Sequence, residues 1–225
     1  MPEPRAVPGE APHATLFEAC LLVLICFGSF IAASLDAAMR WRPGTASGFS
    51  DASFAYTLST ELALAAMAVL VLWARRYPLQ QLYPQPSLRG AVDAALLGIG
   101  VALAHELLVF LLPQPQASPI EEMLASTAVT WSGTLPLMIV NGIYEEVFLL
   151  AYLMRGLRRF GASTALGIAV FVRMLYHTYQ GPVALVSVMA VGLIFGLYYQ
   201  RTGRLFPVVL AHIAIDVFAF LGPGS

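Results

Sequence analysis

The chain contains no lysine: all twelve of its basic residues are arginine, and thirteen acidic residues bring the net charge to −1. That balance argues against a nucleic-acid-binding surface, which needs a surplus of cations to neutralise phosphates. Charge of either sign is scarce. Only 11% of residues are charged and 59% are hydrophobic, with a mean hydropathy of +0.76, whereas a soluble domain carries roughly 25% charged residues. Such a composition describes an integral membrane protein. At about 20 residues per crossing, the chain holds about six to eight spans and leaves no soluble domain of ordinary size. Cysteine is almost absent: Cys20 and Cys26 lie six apart in one apolar run, where a helix would point them to different faces, so they read as small hydrophobes rather than a disulfide. The chain has no Gly-x-Ser-x-Gly elbow and no His-Glu-x-x-His segment, which weakens serine-hydrolase and zincin readings. It has no internal repeat, so a repeat architecture is not indicated.

What is present is a series of apolar runs. Residues 1–14, with four prolines and both charge signs, read as a disordered leader. Seven runs follow at about 16–38, 54–74, 91–112, 133–153, 162–178, 182–199 and 205–221, separated by turn chemistry such as Arg42-Pro43-Gly44, Phe160-Gly161 and Gly181-Pro182. The expectation is an all-α, polytopic membrane bundle of about seven (seven to eight) transmembrane helices, forming one domain over 15–225. Arginine placement supports this partition. Arg5, Arg75, Arg76, Arg89, Arg155, Arg158, Arg159, Arg201 and Arg204 collect on one side, against Arg40 and Arg42 on the other. The positive-inside bias puts the N-terminus in the cytoplasm, and the alanine-rich, lysine-free composition suggests a bacterial inner membrane.

Ionisable side chains at membrane depth are functional candidates by default. Glu145 and Glu146 lie midway along the fourth run, after Asn141. Two adjacent carboxylates there would each carry a desolvation penalty of several kcal/mol before compensation, and they point about 100° apart, so they suit two roles. His177 ends the fifth run with Arg173 four residues before it on the same face, and His212 and Asp216 repeat that spacing on the last run. A carboxylate base with two imidazoles fits hydrolysis best. His105 and Glu106 are adjacent and either line the same cavity or pack structurally. Glu61 reads as a hydrogen-bonded group between helices, and Glu121 and Glu122 open a short interfacial helix after Ser118-Pro119. Depth poses a difficulty. Glu145 lies about ten residues from Arg155, roughly 15 Å, and His177 about sixteen from Gly161, roughly 24 Å, so straight parallel helices would hold them apart.

Taken in order, Glu145-Glu146, His177, and His212 with Asp216 resemble the CPBP family of intramembrane proteases, relatives of the CAAX prenyl endopeptidase Rce1. The family pattern is Glu-Glu-x-x-x-Arg, Phe-x-x-x-His and His-x-x-x-Asn or Asp, and the resemblance covers about 133–220. Two positions depart from it: Leu150 stands where the motif has arginine, and Arg173 stands where it has phenylalanine. The expectation is that Arg173 replaces the missing cation and pairs with Glu146. The resemblance implies an intramembrane endopeptidase acting near the C-terminus of a membrane-associated protein or peptide, within the lipid bilayer. Relatives process prenylated proteins, bacteriocins or C-terminal sorting tails. Glu145 would activate water, His177 would assist, and His212 and Asp216 would stabilise the oxyanion, with Arg173 and Asn141 in support. A metal-free mechanism is favoured; a zinc alternative would use Glu145, His177 and His212 as ligands and Glu146 as base. Two other readings use the same groups: a transporter or proton-coupled carrier, and a catalytically silent scaffold.

Overall fold

The computed structural model describes residues 15–113 and 117–221. The expected leader at 1–14, with Arg5, lies outside these residues, as does part of the loop between Pro113 and Pro119. The seven apolar runs become seven helices: α1 Leu16–Arg40, α2 Asp51–Ala74, α3 Leu88–Leu111, α5 Trp131–Glu146, α6 Ala162–Tyr176, α7 Pro182–Thr202 and α8 Phe206–Leu221. A short helix, α4 Pro119–Ala125, forms in the stretch expected after Ser118. No strand forms among the described residues; the only extended pairing is the single bridge between Ser50 and Ala128. The architecture is therefore a polytopic helical bundle.

Helix starts follow local capping as well as hydropathy. Ser50, Ser87 and Thr130 each accept a hydrogen bond from a backbone N–H of the first turn, so α2, α3 and α5 begin two or three residues before their apolar runs. Five spans are long and apolar enough to cross a membrane, α5 being counted with its continuation to Met154. The remaining two, α6 with 15 residues and α8 with 16, are shorter.

The continuation of α5 is the least regular part of the bundle. Val147–Met154 is π-helical, and Phe148 through Met154 are all buried. Widened turns of this kind are frequent at functional sites. α5 and this segment occupy the centre, with α2, α6 and α8 packed around them. The approach of α8 is made possible by Gly142. A Cβ there would lie 2.6 Å from Ile213 Cγ1, too close for any larger residue without displacement. α1 closes the other side, where the Tyr144 hydroxyl donates to the Cys26 carbonyl at 2.5 Å and Phe27 stacks on Tyr176 with ring centroids 5.0 Å apart.

α4 is tied down at the end of the bundle opposite most arginines. Glu122 accepts from the Gly44 amide at 2.9 Å, and from the Ala46 amide and the Trp41 indole at 3.4 Å each. The Gly44 bond chiefly holds its carboxyl below the usual carboxylate range. Beside it, Asp51 Oδ1 and Oδ2 accept from the Thr130 amide and hydroxyl, both at 2.9 Å. These bonds lock the start of α2 to the start of α5.

Candidate active site

Glu145 and Glu146 emerge where α5 gives way to the π-helical segment. Glu146 is fully buried and Glu145 is 6% exposed. A carboxylate in that setting needs charged or hydrogen-bonding partners, and α6 and α8 supply them. On α6, Arg173 Nη2 donates to Glu146 Oε1 at 2.5 Å, while Nη1 lies 3.9 Å from Glu145 Oε2. The same helix presents Tyr176, whose hydroxyl donates to Glu145 Oε2 at 2.6 Å. On α8, His212 Nδ1 lies 2.6 Å from Glu146 Oε1, and its Nε2 lies 3.4 Å from Asp216 Oδ2 and 4.0 Å from Glu145 Oε2. Asn141, one turn before Glu145, donates from Nδ2 to Asp216 Oδ2 at 3.1 Å.

The two glutamates are thus differentiated. Glu146 Oε1 is claimed by a guanidinium and an imidazole together, which fixes its position and its charge. Glu145 Oε2 is held by one phenol and faces two more distant cationic groups, so it keeps lone pairs for a proton. Because an ionised carboxylate only accepts, the Nδ1 facing Glu146 carries hydrogen, and the opposite nitrogen of His212 points at Asp216 and Glu145.

The depth difficulty is relieved by side-chain direction. Helical side chains lean towards the helix N-terminus, so the long side chains of Arg173 and Tyr176 reach back from the far end of α6 to the glutamates. The shorter His177, at the end of α6, stays further out. Its Nδ1 lies 3.0 Å from the Arg173 carbonyl and its ring packs beside Tyr176 at 4.6 Å, near enough to Glu145 to interact electrostatically. Leu150, at the motif arginine position, is buried in the apolar core.

Two residues join the site that the motifs did not single out. Tyr176 could have been found, since it lies three residues after Arg173 on one face. Glu61, on α2, is 3% exposed and interacts electrostatically with Glu145, Asp216 and His212. It differs from the satisfied interhelical group expected, because its Oε2 has no hydrogen-bond partner among the described residues. The nearby hydroxyls on α2 are spent on their own helix, Thr57 donating to the Ser53 carbonyl and Thr60 to the Tyr56 carbonyl. His105 and Glu106 lie apart from the cluster; both are exposed, and His105 Nδ1 is 3.3 Å from Ser187 Oγ on α7.

Among the described residues, the His, Cys, Asp and Glu atoms close enough to share a metal ion belong to Glu145, Glu146 and His212, within 4.8 Å of one another. His177 is not part of that group. The trio already holds the Arg173 guanidinium, which touches Glu146 and approaches Glu145. A divalent cation there would face a fixed positive charge, so the residues do not fit a zinc shell of Glu145, His177 and His212.

A family model for type II CAAX prenyl endopeptidases of the Rce1-like kind matches residues 87–218, more than half of the chain. No curated protein and no solved structure matches it. The match runs from the start of α3 through Asp216 and contains every residue of the cluster except Glu61, and the proteins it describes are membrane-embedded proteases. This chain belongs to the Rce1-like family of type II CAAX prenyl endopeptidases.

Proposed function

We propose that the chain hydrolyses a peptide bond near the C-terminus of a membrane-associated protein or peptide, with Glu145 as the base. The observation that carries this reading is the unequal partnering of the two glutamates: Arg173 and His212 both meet Glu146 Oε1 at 2.5 and 2.6 Å and Glu146 Oε2 is sealed in without a partner among the described residues, whereas Glu145, less deeply buried, is held at hydrogen-bond distance by the Tyr176 hydroxyl. Glu145 takes a proton from water as the water oxygen attacks the scissile carbonyl. His212, held by Glu146 through its Nδ1–H and acting as an imidazolium that keeps a second hydrogen on the Nε2 facing Asp216, donates that Nε2–H to the oxyanion that forms. The proton on Glu145 then passes to the leaving amine as the C–N bond breaks, giving a carboxylate and a free amine. Arg173 and Glu146 position His212, Asn141 positions Asp216, and His177 assists from the mouth of the site. By the arginine bias the N-terminus faces the cytoplasm, and the lysine-free, alanine-rich composition suits a bacterial inner membrane.

The test is to incubate the purified protein and its Glu145→Ala variant with membrane proteins of the source organism and to read new termini by mass spectrometry. Glu145-dependent termini that persist after exhaustive chelation support the reading. Glu145-dependent ion flux without cleavage would indicate a carrier instead, and neither activity would indicate a silent scaffold. Activity lost on chelation and restored by zinc would overturn the metal-free mechanism.

A further inference from the structure

Three observations bear on the side from which Glu145 is reached. The first is a layer of covered side chains. Successive helices run in opposite directions, so Arg75, Arg76, Arg89, Arg155, Arg158, Arg159, Arg201 and Arg204 share one end of the bundle, and Arg40 and Arg42 lie at the other. Between the arginine-rich end and Glu146, Phe148 to Met154 are buried without exception. Among the described residues, a segment covered in this way offers no polar route along itself from that end.

The second is a gradient of exposure within the cluster. Glu146 is fully buried and Glu145 nearly so, while Asn141, His177 and Asp216 are partly exposed. Asn141 precedes Glu145 on a helix that runs towards the arginines, Asp216 follows His212 on one that runs away from them, and His177 ends α6 at the far end. All three lie on the arginine-poor side of the glutamates.

The third is a cavity of about 250 Å³ at that same end, lined by Trp41, Pro119, Thr178, Tyr179, Gly181 and Leu185. It reaches the residue next to His177, whose ring faces Tyr179 with centroids 6.3 Å apart. Gly181 has φ +91°, and a Cβ there would meet Pro119 Cδ of α4 at 2.8 Å, so the turn after His177 packs closely on α4 at the cavity wall.

We propose that water and substrate enter from the arginine-poor face, and that the bond cut lies in the leaflet on that side. The substrate class is then a membrane-anchored polypeptide whose cleavable segment emerges at the surface opposite the arginine-rich loops. With the arginines on the cytoplasmic side, that surface is extracytoplasmic. The proposal rests on the protease reading for its substrate but on geometry alone for its direction.

Single cysteines test the direction without any substrate. In full-length protein carrying Cys20→Ala and Cys26→Ala, Asn141→Cys reports on the site and Arg158→Cys on the arginine-rich end. Each is reconstituted in sealed vesicles and exposed to a membrane-impermeant maleimide from outside or inside. Asn141→Cys should label at least about tenfold faster from the side opposite to Arg158→Cys, a difference of about 1.4 kcal/mol in barrier. Labelling from the Arg158 side, or from neither, overturns the proposal. Should Asn141→Cys not fold, His177→Cys, at the partly exposed end of α6, makes the same comparison. Correct labelling with no Glu145-dependent cleavage would sink the protease reading and leave the access route standing.

Discussion

Arg173 on α6 and Glu146 on α5 meet at 2.5 Å in the interior of the bundle, with the arginine side chain 4% exposed and the glutamate side chain not at all. The arginine that the family motif places one turn after its glutamate pair comes instead from the neighbouring helix. Removing one partner of such a pair leaves a buried charge uncompensated, at a cost of about 3–5 kcal/mol. Arg173→Phe should therefore abolish cleavage and lower the unfolding temperature. Adding Leu150→Arg to that variant returns a cation to the turn after Glu146 and should recover a measurable part of both. If the double variant behaves no better than Arg173→Phe in turnover and thermal unfolding, the exchange of positions is not compensatory.

Tyr176 holds Glu145 by one charge-assisted hydrogen bond of 2.6 Å. Such a bond is worth about 1.5–3 kcal/mol, so Tyr176→Phe should lower kcat by about ten- to a hundredfold, with KM little changed. Glu145→Gln keeps an acceptor for the phenol but loses the base, and should cost about 10²- to 10⁴-fold. Steady-state kinetics on a cleaved membrane substrate distinguishes the two. An equal loss in both variants would mean that Tyr176 does more than orient Glu145.

Gly142 sets the spacing between α5 and α8. Gly142→Ala would thrust a methyl group 2.6 Å from Ile213 Cγ1, next to His212. Overpacking of this kind costs about 1–3 kcal/mol, and the displacement should pull His212 from Glu146. The single variant should lose activity, and Gly142→Ala with Ile213→Ala should regain it. Parallel measurement of thermal unfolding and cleavage would show whether spacing alone is responsible: failure of the second substitution to restore either would argue otherwise.

Glu61 places a buried carboxyl with an unpartnered oxygen beside the acidic side of the cluster. An unsatisfied buried polar group costs about 1–3 kcal/mol, so Glu61→Leu should raise the unfolding temperature by several degrees. If the same variant cleaves more slowly, the chain keeps Glu61 at the expense of stability because the site uses it. A lower unfolding temperature would show that the carboxyl is satisfied in the membrane after all.

The bundle was legible because lipid imposes long apolar runs, and its boundaries were blurred where Ser50, Ser87 and Thr130 start helices before their hydrophobic stretches and where α1 and α7 continue past theirs to Arg40 and Thr202. The cluster was legible because Glu145, Glu146, Arg173, His212 and Asp216 are too costly at membrane depth to be there for packing. Tyr176 escaped notice because a tyrosine costs little in such a setting and so carries no comparable signal. The environment of Glu61 was hidden too, since α2 comes against α5 only in the folded bundle. The π-helical turns after Glu146 arise from how the helix is surrounded, and no residue between Val147 and Met154 announces them.

α6 and α8 carry 15 and 16 residues. At 1.5 Å per residue they span about 22–24 Å, against about 30 Å of hydrocarbon in a typical bilayer. That shortfall is a hydrophobic mismatch on the two helices that bring Arg173, Tyr176 and His212 to the glutamates, and thinning of lipid beside them meets it at a cost of fractions of a kcal/mol per ångström. The local dip brings bulk water closer to Glu145 than the length of α1, α2 or α3 suggests. It also ties the integrity of the site to acyl-chain length, so that thickening the surrounding membrane stresses the helices of the catalytic cluster before the rest of the bundle.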